Sequence, residues 1–245
     1  MNPIAIIPAR LSATRLPGKP LADIGGAPMI VRVLRQAEAA GVGPVVVAAG
    51  DAEIARAVEA AGGRAVLTDP DLPSGSDRVL AALAIVDPMG DHDVVINLQG
   101  DMPFIAPSTL SACVGVLAAE PGCDIATAIA PEASPADRTD PAVVKAVVSL
   151  APGAKRGRAL YFTRSVLYGE GGVWKHVGIY AYRRAALARF AAAPPSPLER
   201  RETLEQLRAL ELGLCLWAAV VDETPISVDT PADLEAARAF ARRRS

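Results

Sequence analysis

Aromatic side chains are scarce, at 4% of 245 residues, although hydrophobic residues reach 51%. A core of ordinary size must therefore be built from Ala, Val, Leu and Ile, a mixture that suits a sheet covered by helices. Charge of either sign is not in excess: 25 Lys and Arg against 27 Asp and Glu leave a net charge of -2. That balance provides no global attraction for a nucleic-acid backbone, so no nucleic-acid partner is expected and any anion site must be local. Cys113, Cys123 and Cys215 are odd in number and far apart, without the close pairing of zinc or redox motifs. They are read as small buried apolar residues in a reducing compartment. No apolar run approaches the roughly 20 residues of a membrane span. The opening Pro3 to Pro8 run is too short for a signal h-region. The expectation is a soluble cytoplasmic protein with no membrane span.

Short β-branched runs alternate with stretches of helical period in the first half, an α/β pattern of parallel strands with crossover helices. Strands are expected at Ile4 to Pro8, Val45 to Ala49, Ala65 to Thr68 and Val94 to Leu98. Helices are expected at Met29 to Ala40, Glu53 to Ala61 and Asp77 to Val86, with Asp51 placed to cap the second. After Pro121 the pattern becomes strand-rich: Asp124 to Ala130, Val143 to Leu150, Ala159 to Thr163 and His176 to Tyr182. A helix at Arg184 to Ala192, a longer one at Leu198 to Leu212, a strand at Cys215 to Val220 and a terminal helix from Pro231 complete the chain. The reading is one α/β domain with a mixed-sheet insertion, its last strand rejoining the first sheet.

Between Arg10 and Lys19 the chain carries three cations, Arg10, Arg15 and Lys19, two hydroxyls, Ser12 and Thr14, and no acid. The loop follows the first strand, and ligands of open α/β sheets sit beyond the carboxyl ends of strands. Its backbone amides and cations suit a triphosphate. A solvated loop with outward charges is the plainer alternative, which the acid-free run and the position disfavour. Neither G-x-x-x-x-G-K-[ST] nor G-x-G-x-x-G occurs here, so the phosphates would be held without those cradles. Asp101, on a Gln-Gly-Asp turn after the fourth strand, and Asp229, in a turn before the last helix, are two carboxylates that could share Mg²⁺, or else turn and cap residues. Ser74-Gly75-Ser76-Asp77-Arg78 begins a helix, where free amides point outward, and could equally be a capping turn. No Ser-His-Asp or Cys-His motif supports a covalent route.

The run IIPARLSATRLPGKPLADIGGAPMI from Ile6 resembles the signature of bacterial CMP-sugar-acid synthetases, and among them the 3-deoxy-manno-octulosonate (Kdo) cytidylyltransferase family. The resemblance continues through Pro73 to Arg78, Asn97 to Asp101, Leu160 to Arg164, His176 to Tyr180, Ser196 to Glu199, Leu204 to Arg208 and Val228 to Pro231. It implies a Rossmann-like nucleotidyltransferase sheet, CTP and Kdo as substrates, Mg²⁺ as cofactor, a homodimer, and a role in lipopolysaccharide synthesis. By resemblance, residues 1–120 are mainly the nucleotide-binding half, 121–215 the sugar-binding and dimerisation half, and 216–245 the return to the main sheet.

The resemblance assigns catalysis to Arg10, Lys19, Asp101 and Asp229, with Mg²⁺ on the two carboxylates. Ala9, Arg10, Ser12, Arg15, Lys19, Ser74, Gly75, Arg78 and Gln99 would line the nucleotide pocket. Arg164, His176, Tyr180, Glu205 and Gln206 would contact the sugar acid, although His176 could be a structural histidine and Glu205 and Gln206 simply helix-surface residues. Two features depart from the family pattern: Met102 stands where Glu usually follows Gln-Gly-Asp, and the segment between Arg164 and His176 is short, with Tyr168 to Gly172 where relatives have a longer loop. A different sugar acid, such as 8-amino-Kdo or a sialic-acid-like acceptor, and a non-catalytic nucleotide sensor are the alternative readings.

Overall fold

Four parallel strands come first in the chain: β1 Pro3–Ala9, β2 Val45–Ala49, β3 Ala65–Leu67 and β4 Val94–Leu98. They are ordered β3-β2-β1-β4. Helices α1 Met29–Ala39, α2 Ala52–Ala60 and α3 Gly75–Val86 make the crossovers. Ile4 to Ile7, Val46 to Ala49 and Val94 to Ile96 are almost free of solvent. Strands covered on both faces read as continuous apolar runs, which is why their sequences do not alternate. Helix α1 turns Met29, Ile30, Val33, Leu34 and Ala37 inward, the spacing of one helix face. Gly43, before β2, has φ 149° and sits so close to β1 that an added Cβ would lie 2.2 Å from the Pro3 carbonyl oxygen.

This computed structural model describes residues 1–12, 16–132, 134–167, 173–222 and 224–244. The chain divides into two units, Met1–Leu110 with Pro225–Ser245, and Ser111–Thr224. Helix α4, Pro107–Ala119, spans the boundary. The sequence reading missed it, because small and apolar residues occur all round it and leave no polar stripe to give a period.

In the second unit β5 Ile125–Pro131, β6 Lys145–Ser149, β7 Arg156–Thr163, β8 Trp174–Arg183 and β9 Leu216–Val220 form the expected mixed arrangement, with helices α5 Arg184–Ala192, α6 Pro197–Glu202 and α7 Gln206–Glu211. Strand β5 runs parallel to β9 and antiparallel to β8, while β7 runs antiparallel to both β9 and β6. The strand Cys215 to Val220 forms as β9 Leu216–Val220, which pairs with β5 and β7, whose backbone groups it satisfies. One expectation is corrected here. The long helix Leu198 to Leu212 is two short ones. Thr203 ends α6 in the left-handed region, at φ 54°. There the Glu202 carboxylate accepts from Thr163 Oγ1 at 3.0 Å and from the Arg164 backbone N at 3.1 Å. Arg208 of α7 forks onto Glu199 of α6 at 2.8 and 2.6 Å. Those tertiary bonds outweigh the modest cost of breaking a helix, which propensity alone would have continued.

The chain returns to the first unit through Val228 and α8, Pro231–Arg244, which places Leu234, Ala237 and Ala241 against Ile24 and Met29. Cys113 and Cys123 are buried, as expected, whereas Cys215 is only partly so. Among the described residues no helix is long and apolar enough to cross a membrane.

Candidate active site

At the carboxyl ends of β1 and β4 the first unit holds a cavity of about 330 Å³. The end of β1 supplies Ala9 to its lining, and the segment after it Arg10, Ser12 and Lys19. Arg15 lies outside the described residues. The loop is pinned from an unexpected side: Asp51 stands at the N-cap position of α2 but makes no side-chain cap there. Its carboxylate accepts from the Leu11 backbone N at 2.7 Å instead. Sequence reasoning had the residue and missed the role, because a cap position looks the same whichever amide it serves.

The β3–α3 segment adds Ser74, Gly75 and Arg78 to the lining. Ser74 also caps α3, accepting from the Asp77 backbone N at 3.1 Å and donating to the Asp77 carboxylate at 2.7 Å. Arg78 is 2% exposed, and its guanidinium donates to Thr68 Oγ1 at 2.6 Å, Asp69 O at 2.9 Å and Pro70 O at 3.0 Å. Burial, and then Arg10 nearby, lower its pKa. Within this structure Arg78 shapes the pocket by clamping residues 68–70, with part of its fork already committed.

After β4 comes the turn Gln99, Gly100 and Asp101, all three on the cavity. Gln99 Nε2 donates to Asn97 Oδ1 at 3.0 Å, leaving its amide oxygen toward Gly75. At Gly100 an added Cβ would come 3.0 Å from the Pro8 carbonyl oxygen, so the turn's close approach to β1 favours glycine. Met102, at 4% exposure, packs into the core and offers no donor to the cavity.

The two aspartates do meet. Val228 is fully buried and its backbone N donates to Asp101 O at 2.9 Å, which sets Asp229 beside Asp101. Capping of α8 falls to Thr230, whose Oγ1 accepts from the Asp233 N at 3.2 Å while the Asp233 carboxylate accepts from the Thr230 N at 2.8 Å, so the Asp229 carboxylate is not used as a cap. Lys19 Nζ donates to Asp229 Oδ1 at 3.0 Å and to Asp101 Oδ2 at 3.3 Å. Burial raises the Asp101 pKa, Lys19 opposes that shift, and Asp229 adds to it. Two carboxylates around one ammonium form an all-oxygen donor set of the kind a small hard cation accepts, with phosphate and water completing its shell. Among the described residues there is no group of three or more His, Cys, Asp or Glu that could hold a metal ion.

The residues expected to contact a sugar acid all lie in the second unit. His176 and Tyr180 are on β8, with ring centroids 5.6 Å apart, and Phe162 of β7 meets His176 edge-on at 4.8 Å. Burial pushes the His176 pKa down to about 3. Burial also raises that of Tyr180 well above its usual value, with Tyr182 and Glu205 contributing. Glu205 is the N-cap residue of α7 and Gln206 its first residue. The plainer alternative, that they are helix-surface residues, fails for Gln206, which is 6% exposed and whose Nε2 is buried without a hydrogen-bond partner. Arg164, just beyond β7, donates from Nη1 to Pro141 O at 3.1 Å. Lys145 is fully buried and fastens this corner, donating to Arg164 O at 2.8 Å and Asp140 O at 2.7 Å. Nothing in the sequence pattern singles out Lys145, since one lysine in a strand usually points to solvent.

A strand-end cavity with a cationic loop and paired carboxylates, on a parallel sheet with these crossovers, defines a nucleotidyltransferase. The chain belongs to the cytidylyltransferase family, whose family model matches residues 4–216. It is 62% identical, over 98% of its length and 93% of the relative's, to a 3-deoxy-manno-octulosonate cytidylyltransferase of Rhodospirillum centenum. It is 58% identical, over 100% of its length and 94% of the relative's, to the protein of that name in Parvibaculum lavamentivorans. Among solved structures it is similar to CMP:2-keto-3-deoxy-manno-octonic acid synthetase complexed with CTP, with a TM-score of 0.91, 39% identity and 100% of both chains covered.

Proposed function

We propose that this enzyme transfers CMP from CTP to the anomeric hydroxyl of Kdo, releasing pyrophosphate and forming CMP-Kdo for lipopolysaccharide synthesis. The observation that carries the reading is Lys19 bridging Asp101 and Asp229 in a cavity lined by the cationic loop. The names of the relatives supply the substrates. The sugar hydroxyl oxygen bonds to the α-phosphorus as the bond from that phosphorus to the bridging oxygen breaks. Pyrophosphate leaves with the electron pair, and the hydroxyl proton goes to solvent. Arg10 and Lys19, with Arg15, offset the charge gathering on the leaving group.

Asp101 and Asp229 would hold Mg²⁺, which when bound supplies positive charge at the α-phosphate. Ser74, Gly75 and Gln99 border the nucleotide, with Arg78 holding the wall behind them. Arg164 suits the acceptor carboxylate, and His176, Tyr180, Glu205 and Gln206 its hydroxyls. The enzyme works in the cytoplasm as a homodimer, an assembly supported by the exposed Leu160 on β7 in the strand-rich unit. Sedimentation at micromolar concentration should show twice the 25.3 kDa chain mass.

Pyrophosphate release from CTP, measured with a panel of acceptors, tests the reaction. Release should require Kdo. Equal turnover with sialic acid or 8-amino-Kdo would overturn the acceptor assignment, and tight CTP binding without product from any sugar acid would make the protein a nucleotide sensor.

A further inference from the structure

Strands β5 and β8 do not pair evenly. Thr127 faces Tyr180 but the next residue, Ala128, faces Val177, so Gly178 and Ile179 form a bulge in β8 opposite a single step of β5. Bulges of this kind re-aim side chains and recur beside functional sites. The Thr127 hydroxyl is fully buried in this bulge. It lies 2.8 Å from Ile179 O, 3.3 Å from Val177 O and 2.9 Å from His176 Nε2.

A hydroxyl has one proton to donate. Two of the three neighbours are carbonyl oxygens, which only accept, and at 2.8 Å the hydroxyl and the Ile179 carbonyl oxygen need a proton between them. The proton therefore goes to the nearer carbonyl, Ile179 O. What remains toward the imidazole is a lone pair, so Nε2 must carry the hydrogen and donate to Thr127. A neutral imidazole has one N–H, which leaves Nδ1 as an acceptor, and no described residue donates to it. Burial keeps the ring neutral across the physiological range.

We propose that Thr127 is a positioning residue that locks His176 as the Nε2–H tautomer, so that Nδ1 is presented as a hydrogen-bond acceptor to a hydroxyl of the sugar-acid acceptor. The acceptor half of this inference rests on the function proposed above. The tautomer half does not.

The chain has only two histidines, His92 and His176, so nitrogen-15 NMR of the imidazoles resolves them readily once His92 is removed by His92→Gln. The spectrum should show His176 as a single neutral Nε2–H form. An Nδ1–H form would overturn the proposal without any variant of Thr127. Thr127→Val keeps the shape and deletes the hydroxyl, and should leave the two tautomers mixed. In steady-state assays it should raise the KM for Kdo about tenfold, the effect of one lost hydrogen bond, with kcat and the KM for CTP within about twofold of the parent. Thr127→Ser should restore both the tautomer and the KM. A Thr127→Val protein with one Nε2–H tautomer, or with mixed tautomers and an unchanged KM for Kdo, would overturn it, as would failure of serine to rescue. If the parent protein shows no turnover with Kdo, the proposed function fails, while the sugar-free NMR result still decides the tautomer.

Discussion

Around Lys19 the first unit sets opposite charges side by side: an ammonium lies between two carboxylates, each of which retains some exposure, and it opposes the burial that raises the Asp101 pKa. Around His176 the second unit holds an imidazole and a phenol among other rings, where burial drives both toward their neutral forms with no opposite charge from a described residue against it. The difference matches the two kinds of partner proposed. A triphosphate is bound by fixed opposing charge, which is strong and tolerant of small displacement. A polyol is recognised by neutral donors and acceptors whose orientation carries the information, so tautomers and rotamers matter more than net charge.

The sharpest way to break this contrast is to remove charge from the first region. Asp101→Asn or Asp229→Asn should cut turnover about 100-fold or more, roughly 2.7 kcal/mol, at saturating substrates and Mg²⁺. Their thermal melts should stay close to the parent's, and near-normal pyrophosphate release would remove that carboxylate from the mechanism. Lys19→Ala should act more broadly and less deeply, slowing turnover and raising the KM for CTP, each about tenfold, because its charge serves bound substrate and transition state alike. An effect confined to the KM for Kdo would contradict the division between the two regions.

A smaller effect is expected at Asp51. Asp51→Ala removes the acceptor of Leu11 N, and the loosened loop should raise the KM for CTP by about fivefold, near 1 kcal/mol, without touching the KM for Kdo. An unchanged KM for CTP would show that the loop holds its form without the pin. A separate test concerns the neutral region and reads stability alone. His176 has its folded pKa pushed down from 6.5 to about 3. Below 6.5 the unfolded chain takes up a proton that the folded one refuses. The stabilisation is thus complete above 6.5 and is lost progressively as pH falls toward 3. Urea denaturation between pH 7 and 4.5 should show the parent losing more stability than His176→Gln, and parallel losses would refute the burial argument.

Much of the first region was legible before folding because its signals are local. The β-branched runs mark β1, β2 and β4, the helical period marks α1 to α3, and an acid-free loop with Arg10 and Lys19 is visible in one glance along the chain. In the second region the strands were legible and much of the detail was not. Helix α4 has no polar stripe, and the break at Thr203 depends on what Glu202 and Arg208 find across space. Asp51 and Lys145 have roles that no spacing rule reveals.

By itself the sequence determined the strands and the first three helices, the fold class, and the set of charged groups available for a nucleotide, since periodicity and local composition act over a few residues. Only the tertiary structure decided that Asp101 and Asp229, lying 82 and 210 residues from Lys19, converge on its ammonium. It likewise decided that Thr127 reaches His176, 49 residues away, through a bulge that no pattern announces. Burial patterns repeat along the chain and can be read there, whereas a hydrogen bond between distant residues leaves no period in either of them.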